Sequence, residues 1–149
     1  MVIFAVALVG LLSYRYLSLT AREGRDILQI LSAQDIETIT IEPARFDQPS
    51  LVSQAVVVRD KTTISKIAAA LSNLPDHSPN HPKVTRAVTI RIQLKNKTIG
   101  GYLEEASNDG ITFYYMSDVS SGWCFGTFLV PRDRGVFNVI ADAIKAPRV

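Results

Sequence analysis

The chain has 149 residues, 47% apolar and 20% charged, so it has room for one domain and a tail and is too apolar for a disordered polar chain. Its formal charge is +2, with basic residues scattered among acids, which excludes the basic stripe that nucleic-acid binders use to neutralise phosphates. Cys124 is the only cysteine, so an intrachain disulfide is excluded, and the count fits a reducing compartment without requiring one.

The amino-terminal stretch "MVIFAVALVGLLSYRYLSL" carries no charged side chain before Arg15. A helix of about fourteen residues rises only ~21 Å, short of a hydrocarbon core of ~30 Å. Tyr16, Leu17 and Leu19 continue the apolar run past Arg15. The arginine can snorkel to the headgroups, and Tyr14 and Tyr16 suit the interface. Residues 1–19 therefore read as a single-pass membrane anchor. The rival readings are a cleaved signal peptide and, last, a buried helix of the soluble fold. The stretch lacks a basic n-region and a small-x-small cleavage site, and no cysteine follows to form a lipobox. Arg15, Arg22 and Arg25 all follow the apolar run, which favours a cytoplasmic domain. A basic segment upstream of the given start would reverse that inference and favour an extracytoplasmic one, so the side stays open.

Residues 20–34 read as a polar linker passing into a short helix with Ile27, Ile30 and Leu31 on one face. Gly24 weakens any continuous helix from the anchor. The globular part is expected over 35–149. "DIETITIEP" alternates imperfectly and ends at Pro43, a first strand. "LVSQAVVVRD" is a second, rich in valine. Asp60 stands as an N-cap before "KTTISKIAAALSNL", in which Ile64, Ile67, Ala68, Leu71 and Leu74 form one stripe and Pro75 stops the helix. "TRAVTIRIQLKNKTIGGYLEE" is the clearest hairpin. Val88, Ile90, Ile92 and Leu94 alternate with Thr89, Arg91, Gln93 and Lys95, which predicts one buried and one wet face. Asn96 and Lys97 fall where a tight turn is needed, and Asn tolerates the left-handed conformation. Gly100 and Gly101 predict a bulge in the return strand. "ITFYYMS" and "GWCFGTFLV" are two aromatic-rich strands. "PRDRGVFNVIADAIK" is a last helix, with Pro131 in its first turn, Asp133 on its dipole and Val136, Phe137, Ile140 and Ile144 as its stripe.

Strands arriving in runs joined by short turns predict a mainly antiparallel sheet. Two amphipathic helices must bury their stripes against one face of it, which makes a two-layer α+β domain behind the anchor. "VVVRDKTTISKIAAAL" followed by a meander, over residues 36–145, resembles small membrane-tethered or lipoprotein-type bacterial α+β domains with no assigned activity. The chain departs from the lipoprotein form in lacking the lipidated cysteine.

The stretch "LPDHSPNHPK" gathers both histidines, His77 and His81, beside Asp76. Prolines at 75, 79 and 82 forbid the helix on which a four-residue spacing would converge two imidazoles. A structural zinc shell needs three or four good ligands, and no cysteine pair or third histidine is available to complete one. A proline-stiffened connection is the plainer reading, with a metal-assisted hydrolase using His77, His81 and Asp118 as its rival. Cys124 lies between Trp123 and Phe125 and reads as a structural thiol rather than a nucleophile, because no paired base accompanies it. Glu104 and Glu105 are adjacent and fall on opposite strand faces. No Walker loop, G-x-G-x-x-G, G-x-S-x-G or H-E-x-x-H occurs.

Seven aromatic residues crowd the last three strands, and a sheet covered by helices on one face leaves the other available. Exposed aromatic patches mark partner surfaces, so the free face of the meander around Tyr114 and Trp123 is the expected contact. The expectation is a membrane-anchored, non-enzymatic binding or accessory domain without a cofactor. It would work beside a membrane-protein partner and not on nucleic acid. The alternatives are the hydrolase above and a secreted inhibitor or immunity-type domain.

Overall fold

β-branched residues spaced two apart favour a pleated, half-buried strand, and the segments around Ile39, Val56 and Ile90 obey that spacing, while aromatic residues favour strand in the segments around Tyr114 and Phe128. The computed structural model describes residues 33, 35–44, 49–75, 83–106, 112–118 and 124–145, with 112–118, 124 and 125 as backbone alone. In chain order the elements are β1 (Ile36–Glu42), β2 (Val56–Val58), α1 (Lys61–Leu71), β3 (Val84–Leu94), β4 (Thr98–Ala106), β5 (Thr112–Asp118), β6 (Cys124–Val130) and α2 (Val136–Lys145). A short 3-10 turn, Arg132–Arg134, precedes α2. The strands form one sheet in the order β2-β1-β3-β4-β5-β6, and every neighbouring pair is antiparallel. β3 to β6 are a plain meander. β1 closes onto the other side of β3, so β3 becomes a central strand.

The register decides which face each residue takes. Val88, Ile90 and Ile92 of β3 stand opposite Leu103, Gly101 and Ile99 of β4, and Ile39 and Ile41 of β1 stand opposite Ile92 and Ile90. Glu37 is an extra residue in β1, and the register shift it causes brings Ile36 round to the same side as Ile39. That shift is the physical reason for the imperfect alternation in "DIETITIEP". Ile36, Ile39, Ile41, Val88, Ile90, Ile92, Ile99 and Leu103 are all buried, and they form one cluster with the inner residues of both helices. Each such side chain stabilises the fold by about 1.5–3 kcal/mol relative to exposure. Both helices therefore cover one sheet face, as the amphipathic stripes require.

α1 begins where Asp60 accepts from the Thr63 backbone N–H and hydroxyl at 2.7 Å each, the expected N-cap. Ile64, Ile67, Ala68, Leu71 and Leu74 are buried as their spacing predicts. The helix stops at Leu71, before Pro75, because Asn73 takes a left-handed φ of 52°. Arg134 donates from Nη1 to the carbonyls of Ala70 and Ser72, capping the last turn of α1 from the turn that precedes α2.

Several expectations are revised. The second strand is only Val56–Val58, because Pro49 and Leu51 pair with Ala87 of β3 instead, through a parallel bridge at Ser50. Gly100 and Gly101 lie in unbroken register, buried in the middle of the sheet. Besides the shift at Glu37, the irregularities fall between Val84 and Arg86 and between Met116 and Ser117. The β3–β4 tip is Lys95 and Asn96, closed by a 2.8 Å bond from Leu94 N–H to the Lys97 carbonyl, and neither tip residue has a positive φ. The face of β3 predicted to be wet is so only in part: Lys95 is exposed and Arg91 half-buried beside Glu42 at 3.0 Å, but Thr89 is 4% exposed, its hydroxyl donating to the Pro43 carbonyl at 3.1 Å. The last helix starts at Val136, since Gly135 at φ 54° breaks "PRDRG" into a separate turn, and Asp133 belongs to that turn. The expected anchor and short first helix, over 1–32, lie outside the described residues, and among the described residues no helix is long and apolar enough to cross a membrane.

Candidate functional site

Among the described residues, two places could meet a ligand or partner. One is a cleft where α2 begins. Arg86 near the start of β3 and Glu105 near the end of β4 are direct cross-strand partners. The pair is bidentate, with Arg86 Nε to Glu105 Oε2 at 2.6 Å and Nη2 to Oε1 at 2.8 Å. The guanidinium also stacks on Phe137 of α2, 4.7 Å from the ring centroid. Charge-assisted, forked pairing of this kind fixes geometry as well as energy. Beside it lies an open cavity of about 190 Å³, also lined by Pro131, Arg132, Gly135 and Asn138. Among the described residues that line it, none carries a hydroxyl, thiol or imidazole. Both carboxylate oxygens of Glu105 are engaged by Arg86, so the cleft can hold a small polar group but presents no base aligned with a nucleophile.

The other is the sheet face turned away from the helices. Opposite Glu104, Tyr102 and Gly100 of β4 stand Phe113, Tyr115 and Ser117 of β5, and opposite Phe113 and Tyr115 stand Leu129 and Thr127 of β6. These register positions share one face, and the described helices cover the other.

The sequence-predicted residues are distributed as follows. Tyr114 pairs with Leu103 on one side and Phe128 on the other, both buried in the core, which assigns it to the helix-bearing face. The aromatic positions on the helix-free face are its neighbours Phe113 and Tyr115. "TFYYM" alone could not separate them, because it puts rings on both faces. Trp123 lies outside the described residues, as do Asp76, His77 and His81. Cys124 stands opposite Ser117, and Asp118 ends β5 opposite Ile99. Glu104 and Glu105 take opposite faces. Glu105 joins Arg86, a pairing not foreseen from the sequence, although counting back from the hairpin tip would have matched the two charges.

Asp60 has its carboxyl held below the ordinary value of 3.8, chiefly by the hydrogen bonds it accepts from the Thr63 side chain and backbone. Among the described residues no group of three His, Cys, Asp or Glu could hold a metal ion. No family model, curated protein or solved structure matches the chain.

Proposed function

We propose that the protein is a membrane-tethered binding or accessory domain, with residues 1–19 as its anchor and the helix-free sheet face as the surface that meets a membrane-protein partner. The tether rests on the uncharged run before Arg15. The choice of surface rests on one observation. Phe113 and Tyr115 share a face with Tyr102, and the described helices pack on the opposite one. Aromatic rings at such a position supply large contact area at low cost in rotamer entropy. The test is co-purification of the full-length chain from detergent-extracted membranes, comparing wild type with a Phe113→Ser, Tyr115→Ser double variant. The reading expects a stoichiometric partner that the double variant loses while its thermal unfolding stays cooperative. A folded double variant that keeps the partner would move the surface elsewhere.

A further inference from the structure

The cleft where α2 begins holds hydrogen-bond donors that the described fold does not use. A guanidinium carries five N–H groups. Glu105 takes two of those of Arg86, at Nε and Nη2. The other three, two of them on Nη1, have no acceptor among the described residues. The group is nonetheless fixed in place. The forked pair holds one edge, and the Phe137 ring, 4.7 Å away, holds one face. Arg132, exposed in the turn before α2, lines the same cleft and has no acidic partner among the described residues. Asn138 adds a side-chain amide to the lining. The backbone N–H groups of Val136 and Phe137 also lack an acceptor among the described residues, since Gly135 has no side chain to cap them. Such amides occur at every helix start. What is particular here is the half-buried guanidinium clamped beside them.

We propose that this cleft binds a small monocarboxylate, with Arg132 closing on the carboxylate while the unused edge of Arg86 and the Asn138 amide donate to it. Charge sets the class of ligand. Two arginines and one glutamate line the cleft, which leaves one positive charge to be met. The planar fork of arginine matches the two oxygens of a carboxylate. Size sets the upper limit. A volume of about 190 Å³ lies below the roughly 300–1,000 Å³ of pockets that enclose drug-sized molecules. Because Arg86 is held before any ligand arrives, little ordering cost falls on it at binding. The cleft lies on the helix-bearing side of the sheet, where Arg86 meets α2, so the site is separate from the proposed partner surface and does not depend on the tether.

The test is an NMR titration of the full chain in an uncharged detergent, with sodium acetate as the probe. Shifts are read at the Arg86 Nε–H, the Asn138 side-chain amide and the backbone amides of Gly135 to Asn138. The expected result is saturable shifts at these groups. Arg132→Gln should weaken the affinity about fivefold, the loss of one exposed charged contact. Arg59→Gln, at an exposed arginine beside β2, should leave it unchanged. Arg132→Lys keeps the charge without the fork and should fall between wild type and Arg132→Gln. If the glutamine variant does not fold, the lysine variant carries the test, and wild-type affinity in it would overturn the role of the fork. Shifts reproduced by sodium chloride at equal ionic strength, or by neutral methyl acetate, would overturn the site, as would undiminished affinity in a folded Arg132→Gln. Tighter binding of inorganic phosphate than of acetate would overturn the choice of a carboxylate.

Discussion

Ile90 sits at the centre of the central strand, fully buried between Ile41 of β1 and Gly101 of β4. Replacing it with Ala should destabilise the domain by about 2–5 kcal/mol, the range for emptying a close-packed site. Urea unfolding checks this, and a loss within error would put the residue on the wrong face. Asp60 tests a different kind of residue-level claim. Its carboxyl titrates below 3.8 in the folded chain, so folding favours the ionised form. That contribution is present above the unfolded value and disappears as pH falls through the folded one. Asp60→Asn keeps a capping oxygen but cannot ionise. The variant should therefore show a shallower loss of stability than wild type as pH drops below about 4, and thermal melts across that range measure it. Residue-scale features were legible where one side chain has one partner nearby. The cap at Asp60 and the stripe of α1 are of that kind. The left-handed residue was sought at Asn96 and is found at Asn73, because the tip closes without positive φ and the helix end needs it.

At the scale of elements, two glycines do work that other residues cannot. Gly126 has φ 141° at the irregularity between β5 and β6, and a Cβ there would meet only the Phe128 ring at 3.5 Å, an ordinary contact. The cost of Gly126→Ala is therefore backbone strain, about 1–3 kcal/mol, rather than a clash. Gly135 at φ 54° lies in the left-handed region, where Asn is better tolerated than Ala. Chemical unfolding should accordingly rank Gly135→Asn above Gly135→Ala in stability. Equal losses from these two would mean that φ is not what selects glycine there. Elements with strong periodicity were readable from sequence: both helices and the β3–β4 hairpin. Their limits were not. Val56–Val58 stops short because a preceding segment pairs with Ala87, a contact made from 36 positions away in the chain, and no local propensity encodes it. The Arg86–Glu105 pair is an intermediate case, since it follows from the hairpin register once the tip is fixed at Lys95 and Asn96.

For the whole molecule, the antiparallel sheet with both helices on one face followed from the order of elements alone. Strands in runs can close by short turns, and two apolar stripes need a common surface. The assignment of faces in β5 did not follow, since Phe113, Tyr114 and Tyr115 are equivalent until a neighbour sets their register. The stretch holding Asp76, His77 and His81 is tested in solution. A fragment beginning at Arg25 should bind zinc no more tightly than its His77→Ala, His81→Ala double variant, and the double variant should differ in stability by less than ~0.5 kcal/mol. Stoichiometric binding lost in the double variant would put the metal-assisted hydrolase first. The tether is the central claim, because the proposed partner surface takes its meaning from a nearby bilayer. Its most direct test is alkaline carbonate extraction of membranes from cells expressing the untruncated chain. The account predicts that the full-length protein stays in the membrane pellet after extraction, with residues 1–19 present by mass. Recovery of the full-length chain in the supernatant, or of a soluble chain shortened at its amino terminus, would contradict it.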